Sequence, residues 1–170
     1  MNEDGFLDNP LGKQINVLNR WQYTDAQKGW VGFVNFRYMN DEKQTGEMDF
    51  DPKKDKGTTN FWGSEINTER FNVSTKIGYV FPEMPYQSFG FQNAFDSHDQ
   101  DSYFGLNQYN IKQSSYYSNL IFNSIINNTM NKFATGLNFT YDKYQEFVNL
   151  NDYSRIDNSI GAFFEYTYDN

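Results

Sequence analysis

The chain has 170 residues, a net charge of −8, no cysteine, and aromatics at 19% of its residues. That acidity argues against a general nucleic-acid binder, which needs a basic patch to meet phosphates. Without cysteine there is no disulfide framework and no thiolate metal site, and no run approaches the ~20 apolar residues of a membrane helix.

The opening MNEDGFLDNP is acidic and lacks the basic and apolar regions of a secretory signal. Beyond it, alternation of apolar and polar residues recurs, which is the period of strands, whose successive side chains point to opposite faces. Seven strands are predicted, at about 14–23, 30–40, 70–81, 86–99, 115–126, 132–147 and 157–168. In the first, Ile15, Val17, Trp21 and Tyr23 share a face, with Asn19 as the exception and Arg20 on the other side. In the second, within GWVGFVNFRYMNDE, Trp30, Val34, Phe36 and Tyr38 oppose Asn35 and Arg37. The longest connection, 41–69, carries Asp49, Asp51 and Asp55 in DFDPKKDKG, an oxygen-ligand spacing suited to Ca2+. The competing reading of those three is an acidic, solvated loop. Phe61 and Trp62, in the same connection, are aromatics in a polar setting and candidate ligand contacts.

The third strand sets Phe71, Val73, Ile77 and Tyr79 against Lys76, and the fourth sets Phe89, Phe91 and Phe95 against Ser88, Gly90 and Gln92. His98, the sole histidine, sits in SHDQD, where nearby acids suit a metal or an acid–base pair; with no nucleophile pattern beside it, the competing reading is a polar loop edge. Tyr103 and Phe104, in the connection 100–114, are further ligand-contact candidates. The fifth strand is irregular, with Leu120 and Phe122 on one face and Ile121 and Ile125 on the other. The sixth and seventh return to alternation, with Glu165 opposing Ile160, Phe164, Tyr166 and Tyr168.

Short connections at 24–29, 82–85 and 127–131 alternate with long ones at 41–69, 100–114 and 148–156. Outer-membrane barrels put short periplasmic turns at one end and long extracellular loops at the other. Trp30 to Tyr38 and Phe133 to Tyr141 each span eight residues, or ~27 Å of strand, which at a tilt of roughly 40° rises ~21 Å, near the apolar band of such barrels. The predicted fold is therefore all-β, an antiparallel up-and-down transmembrane barrel segment of about seven strands. Arg20, Asn35, Arg37, Lys76 and Glu165 are expected to face the lumen. A Lys or Arg on the lipid side would cost roughly 2–4 kcal/mol at mid-membrane.

The segments GFLDNPLGKQINVLNRWQYTD, GWVGFVNFRYMNDEKQTGE, GYVFPEMPYQSFGFQNAFDSHDQDSYFGLNQY and SRIDNSIGAFFEYTYDN resemble the barrel region of TonB-dependent outer-membrane receptors of the siderophore and cobalamin type. The resemblance covers nearly the whole chain and rests on barrel texture and turn wording. It implies a plugged 22-stranded barrel in the outer membrane of a Gram-negative bacterium, importing a small-molecule chelate by way of the TonB complex. The partners it implies are the lipid bilayer, the ligand and a plug domain that this sequence lacks, with no nucleic acid. Residues 1–170 are then expected to be a mid-barrel fragment and not an enzyme, with no cofactor beyond Ca2+ in a loop. Other outer-membrane barrels (porin or adhesin), a pore built from several copies and a soluble aromatic-rich binding module are the competing readings.

Overall fold

In a computed structural model, which describes residues 4–169, the chain is a single antiparallel sheet. Its strands are β1 (Leu11–Asp25), β2 (Trp30–Gly46), β3 (Gly63–Phe81), β4 (Met84–Phe104), β5 (Asn107–Ile126), β6 (Asn128–Val148), the short β7 (Asn151–Asp152) and β8 (Arg155–Tyr168). A one-turn helix, α1 (Pro52–Asp55), lies between β2 and β3. Each long strand pairs with its sequence neighbour, and β7 and β8 share the same edge of β6. The sheet is an up-and-down meander that does not close: β1 and β8 are its edges.

The strand faces read from the sequence are those of the sheet, but two of the three long connections are not loops. The connection expected at 100–114 shrinks to Gly105 and Leu106, and that at 148–156 to short breaks around β7. The connection expected at 41–69 is 47–62. The reason is that β2 to β6 continue past their apolar stretches as strands that are polar on both faces. Such ends carry no hydrophobic alternation, yet cross-strand pairing holds them all the same. The resulting strands, 15 to 21 residues from β1 to β6, far exceed the ~5–6 usual in soluble domains.

The register gathers the apolar residues onto one face. Ile15–Tyr23 in β1, Trp30–Tyr38 in β2, Phe71–Tyr79 in β3, Phe89–Phe95 in β4, Tyr116–Phe122 in β5, Phe133–Tyr141 in β6 and Ile160–Tyr168 in β8 supply a continuous band at alternate positions. Near the short turns its rings touch in an unbroken series. Trp30 meets Tyr79 at 4.7 Å, Tyr79 meets Phe81 at 5.0 Å, and Phe81 meets Phe89 at 5.9 Å. Phe89 meets Phe122 at 4.6 Å, Phe122 meets Phe133 at 5.9 Å, and Phe133 meets Phe164 at 5.8 Å. The band has one polar row, Thr75, Asn93 and Ser118, where Tyr116 Oη donates to Asn93 Oδ1 at 2.8 Å. The irregular fifth strand is also explained: Ile121 faces away from the band, in register between Gly90 and Gly136, which leave room for it.

No second layer covers this band among the described residues. The only buried apolar side chains there are Phe50 and Tyr103, while Trp21 is 62% exposed and Ile160 83%. Domains normally pack two layers around a core; here the sheet has one.

The tight ends have local causes. In the β1–β2 turn Asp25 Oδ1 accepts from Lys28 N at 3.0 Å, and Gly29 takes φ +77°, a left-handed conformation that only glycine adopts without strain. Gly29 O accepts from Val80 N at 2.8 Å, joining this turn to the next. A Cβ on Gly29 would lie 1.9 Å from Val80 O. Gly29→Ala is therefore expected to destabilise the sheet by about 1–3 kcal/mol, read as a lower urea midpoint.

Candidate functional site

Opposite the band lies a polar face, and Arg20, Asn35, Arg37, Lys76 and Glu165 all stand on it. Arg20 and Asn35 are register partners. Asn35 Nδ2 donates to Ser74 Oγ at 3.1 Å, Arg37 Nε donates to Asn16 Oδ1 at 3.3 Å, and the Arg20 guanidinium sits 4.4 Å above the Phe33 ring. Lys76 is in register with Phe33. Glu165 stands apart, near the short turns, where it lines a cavity of about 370 Å³ with Lys132, Tyr86 and Asn123.

Further toward the long-loop rim, this face carries networks that the sequence did not single out. Arg70 makes a bidentate contact to Asp96, with Nε 3.0 Å from both carboxylate oxygens, and Asn72 Nδ2 donates to the same carboxylate at 3.1 Å. His98 is the register partner of Arg70. On β5, β6 and β8, Arg155 Nη1 reaches Glu146 Oε2 at 2.6 Å while its guanidinium lies 4.0 Å over the Tyr144 ring. Tyr109 Oη donates to Glu146 Oε1 at 3.1 Å, and Ser115 donates to Asp142. Apart from Arg155 and its partners on the β6–β8 hairpin, these residues lie 24 or more apart in sequence, and the register, which alternation alone does not fix, brings them together.

The Arg155 contact, then the Tyr109 hydrogen bond, hold the Glu146 carboxyl below its ordinary value of 4.5. A depressed carboxyl contributes stability that is present above its unfolded value and is lost as pH falls through the folded one. The rim end of the β6–β8 hairpin is thus expected to loosen below about pH 4.5, seen as lower amide protection there relative to the intrinsic exchange rate. Glu146→Gln should flatten that dependence, and an unchanged profile in the variant would assign it elsewhere.

The connection 47–62 straddles the rim. On the band side, Phe50 packs over Gly63, where a Cβ would lie 2.3 Å from the Phe50 ring, and meets Tyr103 at 6.4 Å between centroids. Tyr103 is only 3% exposed, with Lys56 Nζ 4.5 Å from its ring centroid. Burial, then the Glu65 carboxylate across the register, push its phenol well above the ordinary value. Its hydroxyl has no hydrogen-bond partner among the described residues. Tyr103 is thus a buried strand residue on the band side, not an exposed loop aromatic, and it lines a separate cavity of about 230 Å³ with Lys56 and Asn110.

The aspartates of this connection have local roles. Asp51 caps α1, its Oδ1 accepting from Lys53 N at 3.0 Å, and Asp55 Oδ2 accepts from Asp51 N at 2.9 Å. The Lys53 amide, then Lys54, hold the Asp51 carboxyl below its usual range. Asp49 is exposed, and the three are not gathered into a metal-holding group; no group of three or more such side chains occurs among the described residues.

On the polar side of the rim, Phe61, Trp62 and Phe104 come together, with Leu106 of the β4–β5 turn, around a cavity of about 390 Å³. Trp62 N donates to Glu47 Oε1 at 2.7 Å, and a Cβ on Gly105 would lie 2.8 Å from the indole nitrogen. Three of the four aromatics expected to contact ligand therefore share one pocket, and Tyr103 does not. The chain matches no family model and no curated protein.

Proposed function

We propose that this chain forms part of the wall of an outer-membrane β-barrel, in a TonB-dependent importer of an iron–siderophore or cobalamin-like ligand. In this reading the aromatic band meets lipid, and the face of Arg20, Asn35, Arg37, Lys76 and Glu165 meets the aqueous lumen. The importer assignment rests on the resemblance of the segments quoted above, and the membrane assignment on the band.

The observation that carries the membrane reading is the slant of that band. The uninterrupted band in β8 begins at Ile160, below Asn158 and the outlying Ile156, and its register row runs through Phe139, Ser118, Asn93, Thr75 and Val34 to Trp21. The top of the band in β1 is Ile15, six residues above Trp21. The band therefore slips by about one residue per strand, or ~3.4 Å along for each ~4.8 Å across. A band lying level in a membrane then requires strands tilted by about 35°, within the 35–45° of barrels. At that tilt eight residues of strand rise ~22 Å, close to the ~25 Å apolar zone of outer-membrane barrels. A soluble module has no reason to keep such a slant, and it would need cover for the band that is absent among the described residues.

The three tryptophans, Trp21, Trp30 and Trp62, test this directly. In single-tryptophan variants reconstituted with lipids brominated along the acyl chain, Trp21 is expected to be quenched most strongly by mid-chain bromine. Trp30 should respond to shallower bromine and Trp62 to neither. Equal, weak quenching of all three would remove the membrane reading.

A further inference from the structure

We infer that the rim cavity formed by Phe61, Trp62 and Phe104 binds a neutral, hydroxyl-rich ring of the carbohydrate type. The inference rests on the barrel-wall part of that reading alone, and it sets aside an anionic iron chelate as the occupant of this pocket.

Three features set the ligand class. The first is shape and surface: at about 390 Å³, the cavity falls within the roughly 300–1,000 Å³ of small-molecule sites, and it is walled by aromatic rings. Trp62 and Phe104 are 43% and 42% exposed, and Phe6 lies against the Trp62 ring at 6.1 Å between centroids. The negative face of an aromatic ring attracts the slightly positive C–H surface of a flat saturated ring.

The second feature is charge. No Lys or Arg lines the cavity, and its one ionisable group is the acidic Glu47. An anion would enter without a cationic partner and beside a carboxylate, on a chain whose net charge is −8. The third is hydrogen bonding. Thr58, Thr59 and Asn107 border the rings; the Thr58 hydroxyl donates to Asp55 O at 2.8 Å, and Asn107 Oδ1 accepts from Asn149 Nδ2 at 3.2 Å. Ligand hydroxyls can add hydrogen bonds to these polar groups, which a purely apolar ligand cannot.

The location fits a first capture step. Phe104 ends β4 on the polar face, so the cavity opens at the rim on the side that bears Arg37 and Arg70 rather than on the banded side. In the barrel reading that is the mouth of the lumen.

The test uses the full chain folded in detergent micelles, with Trp21→Phe and Trp30→Phe so that Trp62 is the sole indole. Maltohexaose serves as the neutral probe and gallium(III) citrate, which does not absorb or quench, as the anionic one. The expected result is a saturable shift of Trp62 emission with maltohexaose and none with gallium citrate. Phe104→Ala should weaken the saccharide response about tenfold, and Leu106→Gln should weaken it too, while Tyr103→Phe, on the other face, should leave it unchanged. Far-ultraviolet circular dichroism shows which variants keep the sheet, and Leu106→Gln, in a turn, carries the test if Phe104→Ala does not. No saturable response to saccharide, or a stronger one to gallium citrate, overturns the inference. If, in that case, Trp21 and Trp30 are quenched by brominated lipid in their own single-tryptophan variants, the barrel reading stands and only the ligand class falls.

Discussion

The constraint on which this structure turns is a sheet of one layer with one apolar face. A conventional domain folds because its apolar surface is withdrawn from water into a core. Here nearly all of that surface is on the outside of the sheet. Backbone pairing from β1 to β8 satisfies the amides and carbonyls internally, apart from the edges, but it does not hide Trp21, Phe91, Leu137 or Ile160. Whatever covers the band therefore completes the fold energetically, and a hydrocarbon layer about as tall as the band is a cover that asks for no further protein contact.

The edges set a second condition. Open strand edges do not persist in hydrocarbon, because their backbone groups have no partners there. β1 and β8 both run from the long-loop rim toward the short turns, since every pairing between them is antiparallel. Edges of two copies would thus meet in parallel if both crossed the membrane in the same orientation. An all-antiparallel barrel needs an odd number of additional strands between β8 and β1. This weighs against a pore assembled only from copies of this sheet, and it agrees with a barrel wall completed by other strands.

The sequence carried the strands and their faces well, because alternation is a direct consequence of the pleat. Phe71, Val73, Ile77 and Tyr79 had to share a face whatever their partners. What it carried poorly were the rim and the register. Residues 100–114 look like a loop because Gln100, Asp101, Asn107 and Gln108 are polar, yet they are paired strand on both sides of Gly105 and Leu106. The Arg70–Asp96 and Arg155–Glu146 contacts depend on which residues face one another across strands, and alternation leaves that offset free. Tyr103 and Phe104 were indistinguishable as neighbours in DSYFG. Strand parity sends one beneath Phe50 and the other into the pocket with Trp62.

The slant of the aromatic band joins these threads, because it converts a register into an orientation. Polarised infrared absorption of the chain in aligned bilayers measures that orientation without reference to any ligand. The expected result is an amide dichroism corresponding to strands tilted about 35° from the membrane normal. Strands lying near the membrane plane, or no preferred orientation at all, would contradict the account.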